Sequence, residues 1–110
     1  MDISALLSAQ VSSHDVSALL EGWQQLASEA KLETHELLSV DGWPVLGRSS
    51  ATARAGAIAV YLSSGVHGDE AAAAWGLFAW AKAHAAQLRE GSFVICPCLN
   101  PAGLAVNTRV

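Results

Sequence analysis

The chain has 110 residues, room for one small domain with a modest core and not for two. Apolar residues make up 52% and charged residues 15%, a balance that argues against disorder. The formal net charge of -4 argues against nucleic acid or an anionic membrane surface as a partner. The opening Met1-Asp2-Ile3-Ser4 carries no basic region followed by an apolar run. No secretion signal is read there, and a cytoplasmic location is expected. No apolar stretch reaches the length of a membrane span without a polar interruption.

Residues 14 to 30 have the pattern of an amphipathic helix, with Val16, Leu19, Leu20, Trp23 and Leu26 at helical spacing and Ser13 as the predicted N-cap. The period then changes to that of strands. Residues 33–40 and 43–48 are short strand-like runs flanking Asp41-Gly42, a hairpin turn signal. Residues 49–56 are small and polar and read as a loop. Residues 57–63 (Ala-Ile-Ala-Val-Tyr-Leu-Ser) form a continuous apolar run, as in a strand buried on both faces. After Gly65 to Gly68, residues 69–88 read as one long Ala- and Trp-rich helix. Residues 92–98 are a second buried strand, and Asn100 to Gly103 a turn.

Strand, helix and strand joined by short turns predict a right-handed crossover with parallel strands, and hence an α/β fold. Two such strands and a hairpin fall short of a doubly covered sheet. The sequence therefore reads as the N-terminal part of a longer α/β/α domain with a mixed sheet, behind an N-terminal helical segment over residues 1–32. Cys96 and Cys98, separated only by Pro97, are poorly placed to bridge and are expected as free thiols packed inside. Trp23, Trp75 and Trp80 are expected to be buried, with Trp43 partly exposed beside its turn.

The chemistry concentrates at His67 and Glu70. Ligand sites in open α/β sheets lie beyond the carboxyl ends of strands, and His67 follows such an end. A three-residue step to Glu70, in the first turn of the next helix, sets an imidazole and a carboxylate on one side of the junction. That suits a zinc ion, whose catalytic sites take two His, one Glu and an open water position. The same spacing also arises as a plain turn and cap, because a helix dipole favours Glu in its first turn. His84 lies fourteen residues beyond Glu70, about 20 Å along a helix, too far to share a metal. His14 and His35 have no motif around them.

Ser64-Gly65-Val66-His67-Gly68-Asp69-Glu70, then an apolar helix, a strand and Cys98-Leu99-Asn100-Pro101-Ala102-Gly103-Leu104-Ala105-Val106-Asn107-Thr108-Arg109, resembles the zinc carboxypeptidase family, the carboxypeptidase A-like metallopeptidases. Residues 39–45 resemble the hairpin ahead of that family's first core strand, so the resemblance runs over residues 33–110, read as the N-terminal part of the catalytic domain. It implies zinc as cofactor, His67 and Glu70 as metal ligands, and Arg109 as the catalytic cation that steadies an oxyanion, a role suited to a guanidinium. It implies hydrolysis of a peptide bond near a C-terminus. A related branch, the aspartoacylase and succinylglutamate desuccinylase type, uses a similar motif on N-acyl amino acids. Ala102 stands where the family has Asp. The second zinc His, the Asn-Arg pair that grips the substrate carboxylate and the general-base Glu come from later segments in the family, so this chain alone is expected to be incomplete and inactive. The competing expectations are a non-catalytic piece that binds zinc weakly or not at all, and a generic βαβ unit whose motif is only a turn and cap.

Overall fold

A computed structural model describes residues 12–108 of the chain. Helix α1 spans Val16–Glu29, and its N-cap is Asp15, whose carboxylate accepts from the Ala18 N–H at 3.0 Å. Ser13, the predicted cap, instead uses its carbonyl to accept the Trp75 indole N–H at 2.7 Å. Val16, Leu19, Trp23 and Leu26 form the buried stripe that the spacing predicts.

Strands β1 (Glu33–Val40) and β2 (Trp43–Ser49) pair antiparallel as expected, around Asp41 and Gly42. Both turn residues have positive φ, 52° and 81°, the type I′ geometry for which Asp-Gly is suited. The register slips between Glu36 and Leu38, leaving Leu37 in a bulge. Residues 49–56 are not simply loop. Ser49 ends β2, and Ser50 caps a one-turn helix α2 (Ala51–Arg54) by accepting from the Ala53 N–H.

Strand β3 (Val60–Ser63) runs parallel to β4 (Phe93–Cys96), and the sheet order is β1-β2-β4-β3. The sheet is mixed because β4 meets β2 antiparallel, with Arg48 opposite Ile95. The α/β class and the parallel pair follow the expectation, but the burial of the first parallel strand does not. Among the described residues β3 stands at the sheet's end with a single neighbour; Val60 and Tyr61 are exposed, and Ile58 ahead of it is 98% exposed. Of the two parallel strands it is β4 that is flanked on both sides, and its Ile95 is fully buried.

The long helix divides. Helix α3 (Ala71–Ala83) ends at His84, which also caps α4 (Ala85–Glu90). The core lies where α1, α3, α4 and β4 meet. Trp23 packs on Phe78 with ring centroids 5.7 Å apart, Trp75 meets Phe78 edge-on, and Leu88 and Ile95 close the cluster. Trp80 departs from the expectation of burial. It is 40% exposed and stacks on His84, one turn later on the outer face. The half-buried Trp43 and the free, buried Cys96 and Cys98 agree with the sequence reading. The buried Arg48 donates to Thr34 and Gln24, while its Nε and the Trp23 Nε1 have no partner among the described residues. Residues 100–103, expected as a turn, begin helix α5 (Pro101–Val106).

Candidate metal centre

Ser63 ends β3, and the next residues are fixed to the end of β4 rather than hanging from it. The Ser64 N–H donates to the Cys96 carbonyl, the Ser64 hydroxyl to the Pro97 carbonyl, and the Leu99 N–H to the Ser64 carbonyl. Gly65 then turns with φ +75°, and a Cβ there would sit 3.0 Å from the Cys98 sulfur. Only glycine fits both demands. The loop therefore leaves the carboxyl edge of the sheet along one fixed path, as the topology requires of a ligand site.

His67 and Glu70 are the first and last residues of a tight turn. The Glu70 N–H donates to the His67 carbonyl at 3.1 Å, which brings the two backbones together. Glu70 is the N-cap of α3 rather than a residue of its first turn, and its side chain makes no capping hydrogen bond. His67 is half-buried and Glu70 exposed at the loop surface. Gly68 between them is buried, and a Cβ there would overlap the Gly103 carbonyl and the Thr108 oxygen.

An imidazole and a carboxylate at the ends of one turn suit zinc as two of its usual donors. They do not complete a site. Among the described residues no group of three His, Cys, Asp or Glu could hold a metal ion. Arg109 lies outside the described residues; the chain reaches Thr108, the residue before it, against Gly68. The other histidines go elsewhere, as expected: the His14 ring contacts the Leu104 carbonyl, the His35 ring the Ser49 hydroxyl, and the His84 ring Trp80.

Asn100 bonds to backbone: its Oδ1 accepts from the Gly103 N–H at 2.9 Å. Sequence reasoning missed that this turn starts a helix, although Asn followed by Pro is the usual pairing of N-cap and first helical residue. It also missed the contact between Gly68 and Gly103. Burial pushes the Cys98 thiol up to about 11, against a smaller downward pull from the Asn100 backbone, and raises Cys96 as well. These thiols under the loop are protonated at neutral pH and poor metal ligands as they stand.

Residues 57–110 match the model of the succinylglutamate desuccinylase/aspartoacylase catalytic domain. No curated protein matches the chain. Among solved structures, three Shewanella proteins, provisionally designated metallopeptidases, share the fold. The protein from Shewanella amazonensis has a TM-score of 0.78 at 23% identity, and that from Shewanella baltica 0.78 at 24%. The protein from Shewanella denitrificans has a TM-score of 0.75 at 26% identity. Each alignment covers 89% of this chain but only 37% or 38% of the solved one. No helix among the described residues is long and apolar enough to cross a membrane. The family match and the shared fold together support a place for this chain in the wider zinc carboxypeptidase-like superfamily.

Proposed function

We propose that this chain carries part of the active centre of a zinc-dependent hydrolase that cleaves an amide bond. The observation that carries the reading is the turn closed by Glu70 N–H and His67 C=O at the carboxyl end of β3. His67 and Glu70 would hold the metal. Bound zinc supplies Lewis acidity toward a carbonyl and toward water. The chain's own share is to fix the two ligands on a loop tied to β4; Arg109, on the family resemblance, would steady a developing oxyanion.

Two substrate classes fit. A peptide cut near its C-terminus is the leading reading, on the Asn100-Pro101-Ala102-Gly103 segment and the upstream hairpin. The second reading, deacylation of an N-acyl amino acid, is favoured by the match of residues 57–110 to the deacylase catalytic domain. Zinc titration of the purified protein and of His67→Ala tests the metal assignment. Micromolar or tighter binding that disappears in His67→Ala is expected, and binding indifferent to that change would sink it. Amine release from a short peptide set against release from N-acetyl- and N-succinyl-amino acids then separates the two substrate classes.

A further inference from the structure

The structure assigns Asn100 and Gly103 as positioning residues for the His67–Glu70 pair, an inference that rests on reading those two as metal ligands. Gly68 sits between the ligands, and its backbone lies directly on the Gly103 peptide with no room for a Cβ. The Gly103 peptide is itself held from both sides. Its N–H donates to Asn100 Oδ1 at 2.9 Å. Its carbonyl accepts from the Asn107 and Thr108 N–H groups, the latter at 2.9 Å. Asn107 reaches that bond by adopting the left-handed conformation, φ 58°. A Cβ on Gly103 would strike the Asn100 amide, so the bond and the bare glycine require each other. Asn100 fixes Gly103, Gly103 fixes Gly68, and Gly68 fixes the spacing of an imidazole and a carboxylate that one ion must share. Partners that orient ligands in this way typically change metal affinity by about 10–100-fold when removed.

The test compares Asn100→Gly, which deletes Oδ1 at small cost to a helix N-cap, with Asn100→Ser, which keeps a hydroxyl acceptor there. Gly76→Ala in α3, where a Cβ would meet nothing within 4 Å, is the control. Zinc affinity is read by competition with a chromophoric chelator, at equal folded fraction by circular dichroism. Affinity should fall about tenfold or more in Asn100→Gly, stay within about threefold in Asn100→Ser, and not change in Gly76→Ala. Unchanged affinity in Asn100→Gly, or equal losses in both Asn100 variants, overturns the proposal. If His67→Ala leaves zinc binding intact, it is the ligand assignment that fails. Positioning is then read from amide exchange over residues 66–70 in metal-free protein. Exchange faster in Asn100→Gly but not in Asn100→Ser upholds it; equal rates in the two overturn it.

Discussion

The Ser64 hydroxyl donates to the Pro97 carbonyl at 2.6 Å, tying the ends of the two parallel strands together three residues ahead of His67. Pro97 is buried, so losing that donor leaves its carbonyl short of a partner. Ser64→Ala should cost about 1 kcal/mol of stability, seen as a lower urea midpoint with an unchanged slope. A midpoint equal to that of the parent protein would show the bond to be idle.

Removing a ligand should hurt more than loosening one. On the proposed reading, Glu70→Gln keeps the size of the side chain but removes its charge, and should weaken zinc binding at least about a hundredfold, as should His67→Ala. Calorimetric titration with zinc measures both variants, and an affinity equal to that of the parent protein would remove the changed residue from the ligand set.

Trp23 offers a test of packing against polarity. Trp23→Ala should cost about 3–5 kcal/mol, the usual range for emptying a large aromatic site in a core. Trp23→Phe should cost less than about 1.5 kcal/mol, since it keeps the contact with Phe78 and removes an N–H that has no partner among the described residues. Chemical denaturation of both variants measures the difference, and near-equal losses would mean that the indole nitrogen matters.

The Cys98 thiol gives a pH signature whose sign is fixed. Its folded pKa is raised by burial to about 11 from an ordinary 9.0, so the native state holds the proton more tightly than the unfolded chain. The resulting stability is fully present below pH 9 and is lost as pH rises through 11. The urea midpoint should therefore fall across that window. The fall should be shallower in Cys98→Ala and should not vanish, because Cys96 is raised too. A thiol reagent at about pH 8 should label both cysteines slowly in the native protein and rapidly in urea.

Local chemistry was legible where it decides the backbone without help. Asp41-Gly42 dictates its turn, and the stripe from Val16 to Leu26 dictates its helix face. His67 and Glu70 were legible as a pair at a strand's end, because strand, turn and helix follow in order. What could not be read depends on place in the sheet. The apolar run of residues 57–63 looks like an interior strand, yet whether a strand is flanked on one side or two is set by topology. The break at His84 was hidden because Ala-rich sequence on both sides favours helix equally. The contact of Gly68 on Gly103 joins residues 35 positions apart, and a glycine read in isolation does not name what it must admit.

The outer edge of β3 has a consequence for handling the protein. Among the described residues it pairs only with β4, and from Ala57 to Ser63 it carries no charge and no proline to deter another strand. Edges of this kind recruit strands from other molecules. Light scattering should therefore rise with concentration, and Tyr61→Lys, at an exposed position, should suppress the rise while leaving the sheet intact.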